Sequence, residues 1–174
     1  DDGSGQAERK YRSEPNPPKN SKKHGLFNAV ASNFYEVFID DADVDAIAYV
    51  AFPESRHAFH QSLMPALRKV QESFDKNPKG QGWLRIGVVD AELNDIPPPY
   101  GTGKSQPTLC VYAAGVKNWP RYITDDNEGM LTVHDLLYFI MNTCSKRVSE
   151  TARELLRDLS YEFLHHRVWE HDEM

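Results

Sequence analysis

The sequence predicts an α/β domain in which helices cover both faces of a central sheet, and three patterns support this. Two short runs rich in apolar and β-forming residues, Ala46–Phe52 and Trp83–Val89, are typical of strands buried on both faces. Between them, apolar residues recur at helical spacing from Arg56 to Phe74. The predicted order of elements is α, β, α, β, β, β, α, which favours a sheet of mixed strand direction enclosed by helices.

The remaining elements follow from local signals along the chain. Ser32 and Asn33 are typical helix caps and predict a helix over residues 34–38. Pro65 falls inside the long helix and is expected to kink it, and Pro120 predicts that its strand lies at an edge, because proline cannot donate to a ladder. The other predicted elements are a strand over Thr108–Ala113, an edge strand over Trp119–Ile123, a helix over Leu131–Met141 and a last helix from Ser149 to about Trp169.

Composition divides the chain into three segments. Residues 1–25 are polar and basic and hold too few apolar groups to offset the entropy of ordering, so a flexible segment is expected. Residues 26–145 form the predicted domain, and residues 146–174 form a helical extension.

The overall composition excludes several classes of function. Of the 174 residues, 40% are apolar and 26% are charged, which is ordinary for a globular protein. The net charge of -6 argues against general nucleic-acid binding. No apolar run reaches the roughly 20 residues that span a bilayer. Two cysteines, Cys110 and Cys144, are too few for a disulfide scaffold, and their spacing matches neither a zinc motif nor a redox pair.

Three stretches carry a family resemblance. The first runs from Tyr49-Val-Ala-Phe through His57-Ala-Phe-His60 to Pro65, the second is Val88-Val-Asp-Ala-Glu-Leu-Asn-Asp-Ile-Pro-Pro-Pro-Tyr100, and the third is Gln106-Pro107-Thr108-Leu109. Over residues 33–142 the chain thereby resembles the catalytic-type domains of the protein disulfide isomerase family, within the thioredoxin superfamily. The resemblance implies a thioredoxin-like fold in which Pro107 is cis and brings the Gln106 backbone beside His57.

The departures from the family pattern concern its chemistry. His57 and His60 stand where the family has its two cysteines, Ala51 where it has a buried carboxylate, and Arg56 where it has a tryptophan. Thiol–disulfide exchange requires a sulfur to attack, and this site has none. Cys110 is expected to be a small buried hydrophobe on a core strand, and Cys144 is expected to be partly exposed. The sequence therefore predicts that the domain is not an enzyme and uses no cofactor.

The two histidines have three interpretations. The plainest is that they fill a retired site, one exposed and one packed. Their i, i+3 spacing on a helix could also hold zinc, but zinc needs three or four ligands, for which Glu54 or Asp95 would have to serve. A general base is the third interpretation, although no nucleophile or second titrating group is placed beside them.

The last helix has two interpretations. Its apolar stripe, which includes Leu155, Leu159 and Phe163, either packs on its own domain or docks a partner protein. The chain ends His171-Asp-Glu-Met174, which resembles the His-Asp-Glu-Leu retrieval signal of the endoplasmic reticulum except at its terminal methionine. The expected location is therefore the lumen of the endoplasmic reticulum, and the alternative is an assembly in another compartment.

These observations lead to one principal hypothesis of function and two alternatives. The principal one is a redox-inactive domain for protein–protein binding, either a chaperone-like module or a structural subunit, which contacts its partner through the groove around His57, Gln106-Pro107 and Tyr100, through the last helix, or through both. The alternatives are an oxidoreductase acting through Cys110 or Cys144, and a metal-binding module at His57 and His60.

Overall fold

The computed structural model describes residues 12–101, 106–124 and 131–172, and for residues 124 and 161–172 it describes the backbone alone. Residues 1–11 of the predicted flexible segment, the Phe163 side chain and the side chains of the terminal His171–Met174 therefore lie outside what is described. The strands are β1 (Lys22–Lys23), β2 (Leu26–Ala29), β3 (Asp45–Ala51), β4 (Leu84–Asp90), β5 (Thr108–Tyr112) and β6 (Arg121–Thr124). The helices are α1 (His57–Lys76), α2 (Val133–Thr143) and α3 (Lys146–Asp172), with a 3-10 turn at Ala31–Asn33 and a π-helix at Tyr35–Ile39.

The six strands form one mixed sheet in the order β1-β2-β4-β3-β5-β6. Strands β2, β4 and β3 run parallel, whereas β5 and β6 are antiparallel to their neighbours and β1 is antiparallel to β2. The predicted α/β class and mixed sheet are thus confirmed, and β6 lies at an edge as Pro120 predicted.

Strand β3 is buried along its whole length because it lies inside the sheet and is covered on both faces. Its side chains alternate between two cores, as the pleat of a strand requires. Ile47, Tyr49 and Ala51 face the core shared with the three long helices. Ala46, Ala48 and Val50 face the second core.

The second core is built around packed aromatic rings. Phe34 directly precedes the π-helix and Phe38 lies within it, and their ring centroids are 4.9 Å apart. The Phe34 ring centroid also lies 6.1 Å from that of Tyr100 and 5.9 Å from that of Tyr112. Offset and edge-to-face aromatic pairs of this kind add about 0.5–1.5 kcal/mol beyond their buried area. The helix predicted at residues 34–38 is present, with π rather than α geometry.

Helix α1 lies against the opposite face of the sheet through an apolar stripe. Leu63, Leu67, Val70 and Phe74 are buried, at the spacing that the sequence predicted. Buried Gln71 adds a polar link, since its Nε2 donates to Leu84 O at 3.0 Å and its Oε1 accepts from Ile86 N at 2.7 Å. Pro65 lies within the helix.

The amino-terminal part of the described chain departs from the sequence prediction. Residues 12–25 were expected to be flexible, but Arg12 pairs with Asp95 at 3.0 Å and Glu14 N donates to Asn94 Oδ1 at 2.8 Å. The chain then forms the β1–β2 hairpin, which adds two strands to the sheet. Composition misses this contact because the hydrogen-bonding partners lie about 80 residues away in the sequence.

The last helix packs on its own domain over the part whose side chains are described. Val148 and Ala152 are buried in the core, and Leu155 and Leu156 pack partly buried against it. The junction before the helix is anchored by Asp45, which is fully buried and accepts hydrogen bonds from the backbone N and hydroxyl of Ser145. No helix among the described residues is long and apolar enough to cross a membrane.

Candidate functional site

The two histidines lie where strand β3 passes into helix α1, as the sequence predicted. His57 is the first residue of α1 and is exposed, while His60 follows one turn later and is half-buried. The N-cap residue of α1 is Arg56, and its side chain makes no capping hydrogen bond. Instead, the Glu92 carboxylate accepts hydrogen bonds from Glu54 N at 2.8 Å and Ser55 N at 3.0 Å.

His60 is packed against Tyr49 from the central strand. The rings are stacked with centroids 5.6 Å apart, and the Tyr49 hydroxyl shares a hydrogen bond of 3.1 Å with His60 Nδ1. Burial lowers the pKa of His60, and its closeness to Asp90 opposes that shift. His60 is therefore a neutral, packed imidazole one turn into α1.

Two carboxylates near His60, those of Asp90 and Glu92, were not predicted as site residues. Ala51 is fully buried and lies opposite Asp90 in the register of β3 and β4. Burial raises the pKa of Asp90, whereas the hydrogen bond from Glu54 N is the largest cause of the lowered pKa of Glu92. Asp90 ends strand β4 and Glu92 follows it closely, and this position was the signal available in the sequence, since parallel strands end at the same edge of a sheet.

The metal hypothesis requires a third ligand beside His57 and His60. In the part of the chain that the structure describes, no three His, Cys, Asp or Glu residues are grouped so that they could hold a metal ion. Asp95, one of the two additional ligands considered, is engaged by Arg12 through hydrogen bonds of 2.8 and 3.0 Å. His57 and His60 thus remain two imidazoles, fewer ligands than zinc requires.

The predicted groove around Pro107 requires two corrections. Within the described ranges, the cis peptide bond joins Pro98 and Pro99, not Gln106 and Pro107. The cis and trans forms of a bond before proline differ by only about 0.5–1 kcal/mol, so sequence alone does not determine which proline is cis. Tyr100 is not exposed for a partner, because its ring packs on Phe34 and is 7% exposed.

The two thiols are poorly placed for redox chemistry. Cys110 is buried on β5, as predicted, and burial raises its pKa to about 12. Cys144, partly exposed as predicted, follows α2, and burial of its thiol raises its pKa as well. The nucleophile in disulfide exchange is the thiolate, so both residues are disfavoured as attacking groups near neutral pH.

The candidate partner-binding residues on α3 are only partly available. Leu155 packs against the core, Leu159 is half-buried, and the Phe163 side chain lies beyond the described part of the helix. The amino-terminal half of this stripe is therefore a domain contact.

A large cleft adjoins His60 on the side of the β1–β2 hairpin. It measures about 770 Å³ and is bounded by the hairpin, the first turns of α1 and the end of β4. His60 and Asp90 line one end, and Lys23, His24 and Arg68 line the other walls. This cleft was not predicted from the sequence, because the hairpin that forms one of its walls was not predicted either.

No protein-family model matches this chain, and no curated protein matches it either. The class that the fold defines is a mixed α/β domain with a six-stranded sheet. Its function must be inferred from the arrangement of its own residues.

Proposed function

We propose that this chain is a thioredoxin-like domain that binds other proteins and does not carry out thiol–disulfide exchange. The chaperone-like module and the structural subunit are the two forms this function would take. The strand arrangement supports the assignment, since three parallel strands followed by two antiparallel strands at one edge agree with a thioredoxin-like sheet. Strand β1 is an addition at the other edge.

One observation carries the loss of chemistry: the start of α1 presents His57 and His60 where an oxidoreductase needs sulfur. A helix amino-terminus activates a thiolate through its dipole, and here it has no thiolate to activate. Both cysteines of the chain lie elsewhere, with pKa values raised by burial. A thioredoxin-like sheet without cysteines at the start of α1 favours binding over catalysis.

The redox part of the proposal is tested with an insulin-reduction assay in the presence of dithiothreitol. We expect no turnover above background for the natural sequence. A His57→Cys/His60→Cys double variant is expected to gain measurable activity, because it restores two sulfurs at the start of the helix. Turnover by the unmodified protein that disappears in Cys144→Ser or Cys110→Ser would instead establish an oxidoreductase.

The binding part is tested by fluorescence anisotropy with a fluorescein-labelled pool of randomised peptides. Saturable binding is expected. Absence of binding to any peptide or unfolded protein, such as reduced and carboxymethylated ribonuclease, would contradict the chaperone-like form and leave only a folded subunit as partner.

A further inference from the structure

We propose that the loop after strand β4 is a binding site for an extended partner segment in which an arginine is followed two residues later by a glutamate. Residues 91–95 are named the β4 loop, and the protein's own residues 12–14, Arg-Ser-Glu, occupy this site in the structure. The inference rests on the proposed binding function and gives that function a site and a partner chemistry.

Arg12 is held through both its backbone and its guanidinium. Arg12 N donates to Asp95 Oδ2 at 2.8 Å, and Asp95 N donates to Arg12 O at 2.9 Å. The guanidinium Nε donates to Asp95 Oδ1 at 3.0 Å, and Nη1 donates to Glu92 O at 2.9 Å. The hydrogen bond from Arg12 N is the largest cause of the lowered pKa of Asp95. A planar fork of donors thus meets a carboxylate and a carbonyl at once, which a lysine ammonium would match less well.

Asn94 defines the second position of the site. It is 1% exposed, and its amide makes four hydrogen bonds. Oδ1 accepts from Ala31 N at 3.0 Å and Glu14 N at 2.8 Å, and Nδ2 donates to Asp90 O at 3.0 Å and Glu14 Oε1 at 2.8 Å. Half of these bonds are made to Glu14, so an occupant must supply both a backbone N–H and a side-chain acceptor at this point.

The site therefore recognises the order of the two side chains rather than a net charge. The arginine meets the carboxylate of Asp95, whereas the glutamate meets the neutral amide of Asn94. A segment with the two residues exchanged would place a carboxylate against Asp95 and a guanidinium against the Asn94 Nδ2 donor. Such a segment has the same charge and composition but loses both matches.

Residues 12–18 lie on the surface of the domain and can be displaced without disturbing its core. They form no helix or strand, none of them is buried, and the Arg12 side chain is 60% exposed. The first paired strand begins at Lys22, so their release breaks no strand pairing. A segment held by exposed hydrogen bonds with few apolar contacts opens more readily than the core does. This segment is therefore an internal competitor of a partner segment.

The β4 loop also connects this site to the start of α1. The carbonyl of Glu92 accepts from the Arg12 guanidinium, and its carboxylate accepts from Glu54 N and Ser55 N. A partner segment bound in place of residues 12–14 would therefore lie beside the turn that precedes His57.

The test uses the full chain carrying Arg12→Ala and Glu14→Ala, whose internal segment has lost both matches. A fluorescein-labelled, acetylated peptide of residues 12–18 is followed by fluorescence anisotropy at low salt. We expect it to bind this double variant at least tenfold more tightly than the natural protein, because the natural segment competes at a high effective concentration. The control peptide has its arginine and glutamate exchanged, and we expect it to bind the double variant at least tenfold more weakly.

A further substitution in the double variant locates the bound peptide. Asp95→Asn should weaken binding about tenfold, because the guanidinium loses its charged acceptor. Asp158→Asn, at an exposed position on α3, is the matched control and should leave binding unchanged. Urea unfolding of each variant establishes that it is folded, and the comparison of the two peptides does not depend on either substitution.

The outcomes separate this inference from the proposed function. Equal binding of the two peptides, equal binding by the natural protein and the double variant, or binding that Asp95→Asn leaves unchanged overturns the site. Absence of binding to the double variant, with randomised peptides still bound by the natural protein, overturns the site and leaves the proposed function intact. Absence of binding in both experiments overturns the site together with the chaperone-like form of the function.

Discussion

At the scale of single residues, Lys117 connects two parts of the fold through its ammonium group. Its Nζ donates to the carbonyl oxygens of Phe38 and Val44, both at 2.7 Å, and so joins the π-helix to the start of β3. Burial lowers the pKa of this lysine to about 8, and the nearby Asp45 carboxylate opposes that shift. A lysine that holds its proton less firmly when folded makes the stability of the protein depend on pH.

The sign of that dependence gives the first prediction. Between about pH 8 and about pH 10.4, the usual lysine pKa, the unfolded chain binds more protons at this position than the folded chain, so the contribution of Lys117 to stability rises with pH. We expect the free energy of unfolding of the natural protein, minus that of Lys117→Met, to rise over this pH range in urea-unfolding experiments.

The control for that experiment is Lys69→Met, because Lys69 is exposed on α1. Its stability difference from the natural protein should show no comparable rise between the same pH values. A constant difference for Lys117→Met would show that its ammonium is not held in the buried position described.

At the scale of elements, the contact between strand β4 and the π-helix depends on a missing side chain. A Cβ added at Gly87 would lie 2.8 Å from two atoms of the Phe38 ring, closer than such contacts occur. A residue with a Cβ at this position would therefore force the Phe38 ring to shift.

The second prediction follows from this close approach. Gly87→Ala is expected to lower the free energy of unfolding by about 1–3 kcal/mol, because the ring must shift to accept the methyl group. Gly101→Ala is the control, since its Cβ would have its nearest contact at an ordinary 3.5 Å. Equal effects of the two changes in urea unfolding would contradict the packing described here.

At the scale of the whole molecule, helix α3 is part of the domain over its first turns. Val148 is 1% exposed and Ala152 fully buried, both in the core that also contains α1 and α2. Asp45 binds Ser145 at the junction that precedes the helix, so the start of α3 is held by the first residue of the central strand.

The third prediction tests that integration. Val148→Asp is expected to destabilise the protein by more than about 3 kcal/mol, because it buries an unpaired charge. Arg153→Asp, on the exposed side of the same helix, should cost less than about 1 kcal/mol. A small effect at Val148 would indicate that the helix does not pack on its own domain. Both variants are compared by thermal and urea unfolding.

How far the sequence predicts this molecule depends on how local each signal is. Strand β3 and helix α1 were predicted within a few residues, because a fully apolar run and a 3.6-residue period reflect burial directly. Strand β2 was missed, since Leu26–Ala29 is too short to show a period, and its assignment depends on pairing with β4. The carboxylates of Asp90 and Glu92 were missed as site residues for the same reason: their proximity to His60 arises from the parallel register.

The α/β class, the position of the two histidines at the start of α1 and the absence of sulfur there all follow from the sequence alone. Those properties depend on residue identity and short-range periodicity, which are present in the chain before it folds. The tertiary structure alone decided that Tyr100 is buried, that the cis bond precedes Pro99, that α3 begins inside the core, and that Arg68 lines a cleft formed with a distant hairpin. These properties depend on contacts between residues far apart in sequence, and such contacts form only when the chain folds.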